Sequence, residues 1–84
     1  MHYVYMIKNS ADKLYVGITQ NPDTRCIYHN QKRGTRFTEY IPNFKIVFLE
    51  DYSTLQQARN QEIQIKKWRR EKKKILIKKY QNNL

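Results

Sequence analysis

Glu62 stands where a carboxylate is least expected. On a helical projection it falls between Ala58 and Ile65, in the middle of an apolar stripe formed by Leu55, Ala58, Ile65 and Trp68. An ionised carboxylate facing a small core is unfavourable unless it is paired, takes a proton or binds a cation. Two readings follow: a glutamate at the stripe's margin that reaches solvent or pairs with a lysine, or a metal ligand or catalytic carboxylate at the core's edge. A lone carboxylate suits Mg²⁺, which usually keeps its waters and completes its shell from substrate phosphate. Arg25 and His29 are four residues apart and share one helix face. Arginine grips a phosphate with two hydrogen bonds, and a neighbouring histidine orients or transfers a proton. Such pairs are also common on solvated surfaces. Tyr5 and Tyr15 lie in two successive apolar segments, where packing is the usual work of a tyrosine. They project from the same sheet face only if the paired residue numbers of the hairpin sum to an even number, and the residues leave that register open.

Other chemistry finds no support. His2, His29 and Cys26 are not spaced as a zinc site. Gly17 and Gly34 are the only glycines, too few for a phosphate-cradling loop, and Ser10 and Ser53 lack a nucleophile's context. The 84 residues carry 17 Lys and Arg against 7 Asp and Glu, a formal charge of +10. Nine of the basic residues lie from Lys66 onward, opposed there by Glu71 alone. Such a concentration points to a polyanion, nucleic acid before an anionic membrane surface. Lys66, Lys67, Arg69, Arg70, Lys72 and Lys73 are the candidate contacts, against the plainer reading of a solvated helix face.

The longest apolar run is the five residues from Tyr3 to Ile7, which excludes a membrane-spanning helix and a secretory signal. One cysteine forms no internal disulfide, so the expected compartment is the reducing cytoplasm, with Cys26 as a small core residue. A hydrophobic content of 39% is too rich for a disordered basic tail, and the length suits one domain over 1–84.

The elements that must position these residues can be read in turn. His2 to Lys8 and Lys13 to Thr19 read as a hairpin across the turn residues Asn9 to Asp12, with Leu14, Val16 and Ile18 on one face and Tyr15 and Gly17 on the other. Asn21-Pro22-Asp23 starts a helix that should run to about Lys32 and stop by Gly34. A polar stretch containing Thr35, Arg36, Thr38 and Glu39 ends at Pro42, and Phe44 to Leu49 is a third strand. Ser53 or Thr54 caps a long helix, and a last helix over Glu71 to Tyr80 turns Ile75, Leu76 and Tyr80 to one side. The order ββαβαα describes an α+β domain around a small sheet.

Tyr3-Val4-Tyr5, nine residues, Tyr15-Val16-Gly17, then Arg25, His29 and Glu62 together resemble the GIY-YIG endonuclease family, and more closely its small bacterial UPF0213 group. A related domain forms the nuclease half of the excinuclease C subunit. The resemblance spans nearly the whole chain. It implies a three-stranded sheet flanked by helices, an even hairpin register, and hydrolysis of DNA phosphodiesters with one divalent ion, Mg²⁺ or Mn²⁺. By that resemblance Tyr15 is the general base acting on water, and Tyr5 supports the site. Arg25 stabilises the phosphate, His29 holds the position one turn later, and Glu62 binds the metal. Gly17 would let the backbone approach the active face. Phenol is a weak acid, so the base role asks the metal or Arg25 to ease loss of its proton. The sequence departs from the family pattern at Tyr3, in place of the first glycine, at Ile18, in place of a frequent lysine, and at Gln81, where an asparagine is expected. The implied function is a structure-guided DNA endonuclease in repair or recombination. The alternatives are a non-catalytic module that binds DNA or RNA with the same basic surface, and a protein-interaction domain of a larger assembly.

Overall fold

The computed structural model describes residues 1–30 and 43–83. The elements are β1 (His2–Lys8), β2 (Leu14–Thr19), α1 (Pro22–Asn30), β3 (Lys45–Tyr52), α2 (Leu55–Lys67) and α3 (Arg70–Asn82). This is the α+β order ββαβαα that the residue pattern predicts. The expected end of the first helix at Lys32 to Gly34 and the polar stretch to Pro42 lie outside the described residues. No helix among the described residues is long and apolar enough to cross a membrane.

The sheet has the order β2-β1-β3 with both pairings antiparallel. Tyr5 lies opposite Gly17 and Ile7 opposite Tyr15, an even register that puts both tyrosines on one face. The loop chemistry sets that register. The Asn9 side-chain oxygen accepts hydrogen bonds from the backbone N–H groups of Ala11, at 3.0 Å, and Lys13, at 2.9 Å, while the Asn9 N–H donates to the Lys13 carbonyl at 3.1 Å. Asp12 takes the left-handed conformation, φ 64°, which a short polar side chain tolerates. On the other side of β1, Met6 pairs with Phe48 but Ile7 pairs with Ile46, so Val47 is an extra residue. That bulge turns Ile46 toward the tyrosine face while keeping Phe48 on the opposite one.

Each face has its own cluster. Val4, Met6 and Phe48 are buried against Ala58 and Ile65 of α2 and Ile77 of α3, with Leu14, Val16 and Ile18 packed around them. Tyr5, Ile7 and Phe44 form the second cluster, with Cys26 of α1 against it. Thr54 caps α2 by accepting from the Gln57 N–H, and Trp68 ends it in an extended conformation, φ −72° and ψ 150°.

Three expectations need correcting. Leu55 is 45% exposed rather than part of the buried stripe. It is the first residue of α2, and it lines a depression with His2, Ile18, Thr19 and Gln20. Ile75 is 58% exposed and Ile77 is buried in its place. Leu76, Ile77 and Tyr80 share one helical face, and at 100° per residue Ile75 points away from it. β3 runs past Leu49 to Tyr52, because backbone pairing with β1 continues through Glu50 and Asp51, whose side chains are exposed on this edge strand.

One tertiary clamp joins α1 to β3. The Asn30 amide donates to the Phe44 carbonyl at 3.1 Å, and the Asn30 side-chain oxygen accepts from the Phe44 N–H at 2.6 Å. A side-chain amide here does what a neighbouring strand's backbone would do. Asn30→Ala removes both bonds, and urea unfolding should register a loss of about 1–3 kcal/mol. An unchanged midpoint would mean that water replaces the clamp at no cost.

Candidate active site

The second sheet face carries the chemistry. Tyr5 is 5% exposed, and its ring crosses Gly17 on the neighbouring strand. A Cβ at position 17 would lie 2.5 Å from the Tyr5 hydroxyl oxygen and 2.7 Å from Cζ. Glycine is therefore needed there, but for a different reason from the one expected: the space is filled by Tyr5. Tyr15, two residues before Gly17, is exposed on the same face, its ring 5.4 Å from that of Phe44 at a 55° tilt.

Two charged groups from different helices act on the Tyr5 hydroxyl. Burial raises its pKa above the ordinary phenol value; the Arg25 guanidinium lowers it, and the Glu62 carboxylate and Cys26 raise it further. Tyr5 therefore keeps its proton at neutral pH. Arg25 projects from α1 beside Thr19, Asn21 and Thr24, which line a depression of about 310 Å³ with it. These three neighbours were not picked out from sequence. The only signal was the Asn21-Pro22 helix start, whose Asn21 N–H donates to the Thr19 hydroxyl at 3.0 Å. His29 follows Arg25 by one turn in α1, and its side chain lies outside the described residues. Burial, followed by Asp23, pushes the Cys26 thiol up, which suits an inert packing residue.

Glu62 lies on α2 between the buried Ala58 and Ile65, its side chain 16% exposed. Its carboxylate pairs with the Lys66 ammonium at 3.3 Å. Pairing with a lysine and nearness to Tyr5 thus coexist in one residue. Among the described residues no three His, Cys, Asp or Glu side chains gather into a metal cage. A single carboxylate fits Mg²⁺, which binds through one or two carboxylates plus phosphate oxygens, and does not fit zinc or calcium.

The basic residues after Glu62 differ in what they touch. Lys66 holds Glu62, Arg70 pairs with Asp12 at 3.0 Å, and the Lys72 ammonium lies 4.2 Å from the centroid of the Trp68 ring. Lys73 is half-buried, and no ion pair is found for it, Lys67 or Arg69 among the described residues.

A three-stranded antiparallel sheet with two tyrosines on one face, an arginine and a near-buried glutamate defines a recognisable class. The model of the GIY-YIG catalytic domain matches residues 1–81. UPF0213 proteins of Staphylococcus aureus strains Mu3 and Mu50 are each 35% identical over 77 residues, covering 92% of this chain and 94% of theirs. The solution NMR structure of a UPF0213 protein from Bacillus halodurans superposes with a TM-score of 0.60 at 27% identity, covering 92% of this chain and 82% of that one. The chain belongs to the GIY-YIG family of nuclease domains and, within it, to the UPF0213 proteins.

Proposed function

We propose that this protein is a divalent-metal-dependent endonuclease that hydrolyses phosphodiester bonds in DNA, guided by structure rather than by sequence, and that it works in repair or recombination in the cytoplasm. The observation that carries the reading is the even register that puts Tyr5 and Tyr15 on one sheet face, in a chain that the GIY-YIG catalytic-domain model matches over residues 1–81. Arg25 neutralises and orients the phosphate, with the Thr19 and Thr24 hydroxyls beside it. Tyr5 donates a hydrogen bond toward the same charge. Tyr15, the more exposed of the pair, orients the attacking water and takes its proton, which requires the phenolate form. His29, four residues after Arg25 in the sequence, belongs to the same proposed catalytic set. Mg²⁺ or Mn²⁺ held at Glu62 would supply charge neutralisation on the phosphate. As the water oxygen bonds to phosphorus, the bond to the leaving sugar oxygen breaks, that oxygen takes a proton from solvent water, and Tyr15 returns to solvent the proton it accepted. Lys66, Lys67, Arg69, Arg70, Lys72 and Lys73 hold the strand's backbone, so binding should fall steeply with salt.

Cleavage of labelled single strands, duplexes, flaps and RNA, with Mg²⁺, with Mn²⁺ and with chelator, tests the reading. Metal-dependent cutting that Tyr15→Phe abolishes, in a variant whose circular dichroism is unchanged, is the expected outcome. The Lys66–Glu62 pair favours a second reading, a non-catalytic nucleic-acid-binding module in which that carboxylate is neutralised from within. Binding of the panel without any cleavage would select it.

A further inference from the structure

Four charged groups meet where the first hairpin touches α3. The Asp12 carboxylate lies 3.0 Å from the Arg70 guanidinium, 3.3 Å from the Lys74 ammonium and 3.7 Å from the Lys8 ammonium. Arg70 also donates to the Asp12 carbonyl oxygen. Each of these side chains is between 40% and 52% exposed, so the cluster lies on the surface. Hydrogen bonds from Lys74 and then Arg70 hold the Asp12 carboxyl below its ordinary pKa.

Three cations around one carboxylate form an anion site that already holds an anion, and that anion belongs to the chain. A planar guanidinium and two ammonium groups that grip carboxylate oxygens would grip phosphate oxygens equally well. The residues come from β1, from the hairpin turn and from the first turns of α3, the helix that carries much of the excess positive charge. We propose that Lys8, Arg70 and Lys74 form a phosphate-contact site for a nucleic-acid strand and that Asp12 masks it from within. The proposal rests on the reading that this chain binds nucleic acid. It separates two sets of basic residues: Lys67, Arg69 and Lys73, for which no ion pair is found among the described residues, and the hairpin–α3 set, which Asp12 restrains. The mask lowers affinity and keeps a structure-guided enzyme from being held on every strand it meets.

Asp12→Asn tests this with little risk to the fold, because asparagine accepts the left-handed backbone of this turn; Asp12→Gly is the second variant. Anisotropy titrations of labelled single-stranded and duplex oligonucleotides across a salt series are the readout. Both variants should bind about three- to ten-fold more tightly than wild type at low salt. Their log–log salt slope should steepen by about one to two, the signature of one or two added phosphate contacts. Arg70→Ala should weaken the Asp12→Asn protein more than it weakens wild type. Equal affinity and equal slope for wild type and both variants would overturn the mask while leaving nucleic-acid binding in place. Failure of every form to bind any probe would remove the binding reading and the mask with it.

Discussion

Glu62→Gln is expected to lower metal-dependent DNA cleavage by about a hundred- to a thousand-fold, the scale seen when one electrostatic contact to a reacting centre is lost. The substitution keeps the side chain's shape between Ala58 and Ile65 and removes only its charge. Its ion pair with Lys66, a residue 55% exposed, contributes little to stability, so the folded fraction should be unchanged. Three measurements together are decisive: single-turnover cleavage, calorimetric titration with Mn²⁺, and nucleic-acid affinity. Cleavage and Mn²⁺ binding should both collapse while affinity measured with chelator stays within about two-fold, since the strand is held by other residues. Cleavage within a few-fold of wild type would sink the assignment of the metal to Glu62.

Gly17→Ala should damage both stability and activity, and through a single contact. The added methyl would meet the Tyr5 ring at 2.5–2.8 Å. Tyr5 is 5% exposed and is packed with Ile7, Phe44, Cys26 and Leu49, so its ring has little room to yield. Overpacking of this kind costs about 1–3 kcal/mol, readable as a shift of the urea midpoint. Cleavage should fall by about ten- to a hundred-fold as the hydroxyl is displaced from its place over Gly17. Combining Gly17→Ala with Tyr5→Leu separates the two effects: the smaller side chain relieves the clash and restores stability, while the missing hydroxyl keeps cleavage low. Wild-type activity in Gly17→Ala would show that the ring's position does not matter to the chemistry.

The candidate residues divide by how far apart in the chain their meanings lie. Glu62 was legible because its anomaly is local: a carboxylate in a helical stripe stands out by spacing alone. Its Lys66 partner is local too, one turn away. The Asn21-Pro22 start of α1, the Thr54 cap and the alternation of β2 likewise depend on neighbours a few residues off, and they formed as their residue types predict. Leu55 was misplaced because a helical projection reports which residues share a side and not where the core ends along the helix, and Ile75 because it is Ile77 that shares the face of Leu76 and Tyr80.

From its residues alone this chain determines the kind and order of its elements, the oddity of Glu62, and a positive charge gathered after it, since periodicity, capping and charge are properties of short stretches. Only the tertiary structure decided that Tyr5 and Tyr15 share a face, because a one-residue slip in pairing would have separated them, and the Asn9 hydrogen bonds choose the register. It alone decided that Gly17 makes room for a ring, that Val47 is extra, that Asn30 clasps Phe44, and that Asp12 finds Arg70 and Lys74 about sixty residues away. Those contacts exist only after the core has closed loops between distant segments, a cost offset by burial of Val4, Met6, Phe48, Ala58, Ile65 and Ile77, and no local pattern encodes which groups that closure brings together.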